Sequence, residues 1–282
     1  MPGLGERLEQ RADCFLAKHQ NLHRAKKASE IKASRPYSDN ANLMGWIIEM
    51  TDKVIMSWSG GKDCAYALHT YLQHSGHEVA TLLTTVTQGY NRISMHGVRR
   101  SLLKSQAMSI GYPLDEVLIP QQCTDEEYKQ LMGMALDKYN RVGVEGVVFG
   151  DLFLEDVRNY REERLGRIGM KGIFPLWGFD TAELALSFID IGFRAVVVCV
   201  DTEALDGEYV GREYDRSFLA DIPKSVDPCG EHGEFHTFVY DGPLFSRMIE
   251  FKRGEKVLRE GRFYFCDLVP LDRCETQEMV AV

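Results

Sequence analysis

One short stretch constrains this chain more than any other. The apolar run Lys53-Val54-Ile55-Met56-Ser57-Trp58 ends in Ser59-Gly60-Gly61-Lys62-Asp63, and a helical pattern starts at once with Cys64-Ala65-Tyr66-Ala67-Leu68. A strand that turns through two glycines into a helix places the helix N-terminus at the carboxyl end of that strand. Backbone N–H groups and the positive end of the helix dipole meet there and favour an anion, above all phosphate. Ser57, Ser59, Gly60, Gly61, Lys62, Asp63 and Cys64 are therefore candidate phosphate-holding positions, with Lys62 adding a point charge. The loop is not a P-loop of the kinase or GTPase type: GxxxxGK[ST] is absent and Asp follows Lys62.

From residue 51 onward, strand and helix patterns alternate. Strands are expected at 53–58, 78–86, 116–119, 146–149 and 195–200, and helices at 63–73, 96–109, 124–141, 153–168 and 181–191. Val54-Ile55-Met56 and Val196-Val197-Val198 are apolar on successive residues, as strands covered on both faces are. This rhythm predicts an α/β fold with a doubly wound parallel sheet, whose ligands sit at the carboxyl ends of the strands. Thr84, Thr85, Gly150 and Asp151 occupy such ends and join the candidate list. After about residue 200 the rhythm breaks, and alternation over 234–240 and 261–268 predicts a smaller α+β region with antiparallel pairing.

Bulk properties narrow the function. Net charge is −9, which argues against an extensive nucleic-acid surface, and no stretch is apolar for long enough to span a membrane. The seven cysteines are scattered, odd in number and without a CxxC pair, so a disulfide framework is not indicated and a cytoplasmic location is expected. Residues 1–50 carry eight Lys/Arg against six Asp/Glu and few apolar residues before Leu43. They read as an N-terminal extension, poorly ordered or a loosely packed helix. The expected division is then 51–175 for the nucleotide-binding domain and 176–282 for a C-terminal substrate region.

The string Ser59-Gly60-Gly61-Lys62-Asp63 resembles the PP-loop, SGGxDS, of the N-type ATP pyrophosphatases, with Cys64 where that pattern has a second Ser. A thiol is a weaker donor than a hydroxyl, so one phosphate contact is expected to weaken. Met95-His96-Gly97-Val98-Arg99, Gly150-Asp151, Arg158-Asn159-Tyr160-Arg161, Phe174-Pro175-Leu176-Trp177-Gly178 and the segment 229–245 are similar to the diphthine–ammonia ligase group of that superfamily. The resemblance runs over most of residues 53–250 and implies a Rossmann-like fold of the adenine nucleotide alpha hydrolase kind. It also implies ATP and Mg²⁺ as cofactors, release of AMP and pyrophosphate, and amidation of an acyl-adenylate by ammonia. The acceptor implied is diphthine on elongation factor 2. GDLFLEDVRNYRE and PCGEHGEFHTFVYDGPLF are more similar to bacterial members, for which another, small carboxylic acid is expected.

Ligation through an adenylate needs a sink for pyrophosphate, cations for the α-phosphate or acceptor carboxylate, and a base for ammonium. Lys62 with the loop answers the first, and Asp63 either orients the metal or caps its own helix. Arg99, Arg158 and Arg161 answer the second, because guanidinium binds oxyanions bidentately, with solvated salt bridges as the competing role for the helical pair. His96 is a candidate phosphate contact, and Asp151 a contact to ribose, metal or ammonia. Glu231, Glu234 and His236 are candidates for the ammonia pocket, with Glu231 or Glu234 taking the proton. Cys229-x₂-His232-x₃-His236 has zinc-like spacing but lacks a fourth ligand nearby. No glutaminase arrangement is apparent, so ammonia is expected free or from a partner, and a homodimer is an expected state. Two rival readings are a tRNA-thiolating PP-loop enzyme, which paired cysteines and a basic surface would favour, and a non-catalytic adenine-nucleotide binder.

Overall fold

The computed structural model describes residues 53–89, 92–93 and 96–271. The N-terminal extension and Met95 of the histidine motif lie outside the described residues. Two sheets carry the fold. In the first, β1 (Lys53–Ser57), β2 (Glu78–Thr87), β4 (Leu114–Ile119), β5 (Val144–Val148) and β6 (Lys171–Ile173) are parallel. Their order is β4-β2-β1-β5-β6. The two-residue β3 (Arg92–Ile93) pairs antiparallel with Val86 and Thr87, beyond the point where β1 stops pairing with β2 at Leu83. The chain thus moves one way from β1 to β2 and β4, then returns to β1's other side for β5 and β6. The reversal falls between β1 and β5, where a crevice opens at the carboxyl ends.

Successive residues of β1 face opposite layers, which explains its uninterrupted apolar run. Val54 and Met56 pack with Ala65 and Leu68 of α1 (Lys62–His74) and with Leu102 and Leu103 of α2 (Arg100–Ile110). Ile55 packs with Leu83, Val117, Val147 and Leu165 under α3 (Asp125–Asn140) and α4 (Glu155–Gly166). α3 starts where a capping box fixes it: Thr124 Oγ1 accepts from Glu127 N at 3.2 Å, and the Glu127 carboxylate accepts from Thr124 N at 2.7 Å.

The second sheet is antiparallel, in the order β8-β7-β10-β9, from β7 (Arg194–Asp201), β8 (Phe235–Asp241), β9 (Phe251–Arg259) and β10 (Phe263–Pro270). The 195–200 segment, expected to extend the parallel sheet, instead pairs antiparallel with β8 and β10. Its apolar run is equally satisfied there, because β7 is central and nearly every residue is buried. α5 (Thr181–Asp190), a short 3₁₀ turn (Gly207–Tyr209) and α6 (Arg216–Asp221) complete the covering layer. The apolar cluster around α1 continues through Phe188, Val197, Phe218 and Phe238, so both sheets share one core. β9 is an exposed edge strand studded with Lys and Arg, the residues that discourage edge-to-edge pairing.

The helix expected from residue 96 begins at Arg100 instead. Backbone groups of residues 93, 97 and 98 are already paired with one another: Ile93 N donates to Val98 O at 2.9 Å, Gly97 N donates to Ile93 O at 3.1 Å, and Gly97 has φ +63°. His96 therefore sits in a turn over the crevice rather than on a helix.

The crossing of β5 with the first turn of α1 depends on Gly150. A Cβ there would lie 2.7 Å from the carbonyl carbon of Asp63 and 2.8 Å from Cys64 N, both backbone atoms. Gly133, inside α3, has nothing within 4 Å of its Cβ position. Gly150→Ala is expected to destabilise the protein by about 1–3 kcal/mol through overpacking. Gly133→Ala should be neutral or stabilising by up to about 1 kcal/mol from helix propensity. Urea denaturation midpoints of the two variants check both.

Candidate active site

The loop that leaves β1 is held from three directions before any ligand arrives. Gly60 has φ +80°, and a side chain there would collide with Gln106 Oε1 and Leu103 Cδ1, each 2.6 Å from the Cβ position. The Gly60 carbonyl accepts from Val239 N of β8 at 2.9 Å and from Gln106 Nε2 of α2 at 3.0 Å. Gln106 is fully buried, and its Oε1 accepts from Trp58 Nε1 at 3.1 Å. Lys62 N donates to Thr237 Oγ1 at 3.0 Å, and Gly61 N donates to Ser59 Oγ at 3.3 Å. Two of the amides expected to be free for phosphate are thus already engaged.

A cavity of about 470 Å³ opens over this loop. Ser57, Ser59, Gly61, Lys62, Asp63, Cys64, Thr84, Thr85, His96, Gly150, Asp151, Arg161, Glu231 and His236 line it, and Gly60 stands behind the loop against Gln106. Besides Gly60, three anticipated residues are absent from the lining. Arg99 is bound by Asp267 of β10, with Nε at 3.1 Å and Nη2 at 2.7 Å from its carboxylate. Arg158 donates to Glu162 at 2.8 Å and lies over the Phe174 and Trp177 rings at 4.9 and 4.8 Å. Glu234 is buried, and its two oxygens accept from Asp227 N at 3.0 Å and His232 N at 2.9 Å, which fixes the glycine-rich turn instead. Conversely, Lys129 on α3, Arg164 on α4 and Arg167 at the C-cap of α4 line the cavity. The signal for the two arginines in the sequence was the i, i+3 continuation of Arg161 along a helix face, whereas Lys129 had none.

Five Lys and Arg side chains line the cavity against three carboxylic side chains, so the site favours an anion although the chain as a whole is acidic. The ammonium of Lys62 is 5.7 Å from the Tyr214 and Phe235 ring centroids, bonds to the Cys229 carbonyl, and is 2.6 and 2.8 Å from the Asp63 oxygens. Burial alone would lower its pKa, but Asp63 and its other neighbours hold it above the usual lysine range. Lys62 is therefore a permanent cation. The side chain of Asp63 remains 31% exposed toward the cavity. Cys64 does not face outward as a donor: its thiol donates to Gly61 O at 3.1 Å and accepts from Ser59 Oγ at 3.4 Å. Burial raises its pKa, so it stays a thiol.

Across the crevice, Arg161 Nη2 donates to Asp151 Oδ1 at 3.0 Å, its Nε is 2.7 Å from Oδ2, and its guanidinium lies 4.2 Å from the Phe149 ring centroid. Glu231 Oε1 accepts from Leu152 N at 2.8 Å. Burial, then the nearby Asp63 charge, push the Glu231 carboxyl well above the ordinary range, against the pull of that hydrogen bond. Among the described residues, no group of three or more His, Cys, Asp or Glu side chains is placed to hold a metal ion. Both oxygens of Asp63, the residue expected to orient a metal, accept from Lys62.

Comparison with known proteins accords with this arrangement. Residues 52–172 match the family model described as the diphthamide synthase N-terminal domain, and residues 180–268 match the diphthamide synthase C-terminal domain. The chain belongs to the diphthamide synthase family. Within that family it is similar to the diphthine–ammonia ligase of Homo sapiens, at 25% identity over 223 residues covering 71% of this chain and 83% of the relative. The diphthine–ammonia ligase of Danio rerio is also 25% identical, over 73% of this chain and 89% of the relative. The larger Schizosaccharomyces pombe ligase is matched over 36% of its length. The two family models divide where the two sheets divide, so the cavity of this diphthamide synthase family member is built from both.

Glu231 also sets a pH dependence. Its folded pKa is raised, so the native state holds a proton that the unfolded chain releases. Its contribution to stability is complete below the unfolded carboxyl value of about 4.3 and is lost as pH rises toward the folded value. Glu231→Gln keeps an acceptor for Leu152 N and removes this titration. The variant is expected to gain stability relative to wild type as pH increases from acidic to neutral. Denaturation midpoints taken across that range check the sign.

Proposed function

We propose that this diphthamide synthase family member is an ATP-dependent, AMP-forming amide ligase whose acceptor is a carboxylate, with diphthine on elongation factor 2 the first acceptor to test. The observation that carries the reading is the loop at the sheet's reversal point, walled by cations and sharing one cavity with a buried carboxyl and two imidazoles. The names of the relatives supply the acceptor and ammonia as the nitrogen source.

The residues suit the two half-reactions. In the first, the acceptor carboxylate attacks the α-phosphorus of ATP and pyrophosphate leaves. The loop, the N-terminus of α1 and the fixed charge of Lys62 stabilise the departing pyrophosphate without reorganising at the moment of reaction. Magnesium, usual with polyphosphates, is expected to arrive on the phosphates rather than in a cage of protein ligands. In the second, ammonia attacks the acyl carbonyl and AMP leaves. Glu231, whose pKa burial raises, can in its protonated form donate a hydrogen bond to a developing oxyanion. A tRNA-thiolating reading is disfavoured, because the cysteines among the described residues are all buried.

Incubation with α-labelled ATP, magnesium, ammonium and either diphthine-bearing elongation factor 2 or small carboxylic acids tests this. AMP and pyrophosphate should form only with an acceptor, and the productive arm names the acceptor. ADP as product, or binding without turnover in every arm, would overturn the reading. Lys62→Met should reduce pyrophosphate release by about 10²–10³-fold.

A further inference from the structure

Ammonia in neutral water is chiefly ammonium, which has no lone pair and must lose a proton before it can attack a carbonyl. The carboxylates around the cavity are poorly placed to take that proton. Asp63 is bound by Lys62, Asp151 by Arg161, and Glu234 by two backbone N–H groups outside the lining. Glu231 Oε1 is taken by Leu152 N, and burial disfavours its charged form.

Two imidazoles remain. His96, in the turn after β3, and His236, on β8, meet with ring centroids 4.6 Å apart and an interplanar angle of 45°. Both line the cavity, and His96 Cε1 is 3.3 Å from the position a Gly61 Cβ would occupy, so this ring stands directly against the phosphate loop. His96 Nδ1 is shielded from bulk water and has no hydrogen-bond partner. A buried acceptor left unpaired in this way is costly and calls for an explanation.

We propose that the His96–His236 pair is the base that removes the proton from the ammonium nucleophile, with His96 Nδ1 the atom that receives it. This rests on the ligase reading. Burial first, then His236 and Lys62, keep the His96 imidazole neutral, while contact with the Thr237 backbone opposes them. Arg92 and Arg99, on its own hairpin, are matched by Asp267. The rings are close enough for His236 to disfavour a charge on His96. Catalytic hydrogen bonds of this type are commonly open before substrates bind and close in the complex. In the step itself, one proton passes from ammonium to the imidazole pair, and the freed lone pair forms the C–N bond. The C–O bond to AMP breaks with its electrons leaving on AMP, and the second proton lost from nitrogen goes to solvent.

Hydroxylamine separates this role from a structural one, because it is already neutral at neutral pH and needs no base to become a nucleophile. In His96→Gln, amide formation from ammonium should fall by about 10²-fold, while hydroxamate formation and acceptor-dependent ATP–pyrophosphate exchange persist. Raising the pH should restore the ammonium reaction as free ammonia accumulates. His236→Gln should show the same pattern more weakly. A parallel loss of hydroxamate and amide, or loss of exchange, would overturn the proposal in favour of a structural or phosphate-holding role. Normal exchange with unchanged ammonium dependence in both variants would overturn it alone. Absence of exchange in the wild-type protein would remove the ligase reading and this proposal with it.

Discussion

The Gly60 carbonyl is the joint on which the molecule turns. It accepts from β8 through Val239 N and from α2 through Gln106 Nε2, while the next amide but one, Lys62 N, donates to Thr237 of the same strand. An anion loop usually belongs to one sheet. Here the second sheet grips it from above, and Gln106 and Trp58 brace it from below. These bonds are buried, so leaving any of them unmade would cost roughly 1–3 kcal/mol. They also explain why the glycines at 60 and 150 admit no side chain: the backbone of each lies where its neighbour's side chain or backbone must pass.

The electrostatics follow from that closeness. The protein is acidic overall, yet its cavity gathers five cations, of which Lys62 and Arg161 are paired with carboxylates of the same site. Such pairs are not free stability, since desolvation offsets much of their attraction. Their value is orientation. Lys62 is held by Asp63 and by a carbonyl, and Arg161 by Asp151 and an aromatic face, so both cations are in place before substrate binds.

Much of this was legible in the sequence, and the failures have physical causes. The loop string, the alternating patterns and the carboxyl-end positions of Thr84, Thr85, Gly150 and Asp151 follow from local chemistry and sheet topology. The destination of 195–200 did not, because a central antiparallel strand and a parallel one are equally apolar. β9 was missed since FKRGEKVLR is an exposed edge with no apolar alternation. Arg99 and Arg158 have the chemistry of oxyanion binders, but their partners, Asp267 and the Phe174–Trp177 faces, are supplied by tertiary contacts that spacing does not reveal. Gln106 carried a readable signal: a polar amide on the apolar face of α2, between Leu103 and Ala107, needs buried partners to be tolerated.

The grip of β8 on the loop has a consequence for how the protein is made. Thr237 follows Lys62 by 175 positions, so a chain emerging from the ribosome completes its first sheet long before the loop's outer partners exist. Until then the Gly60 carbonyl and the Lys62 amide have only water, Gln106 or each other's surroundings to satisfy them. The gripped geometry of the loop is therefore a property of the finished chain and not of the domain that carries the motif. By linkage, a nucleotide that prefers the gripped loop tightens the union of the two sheets by the same free energy with which that union improves its binding.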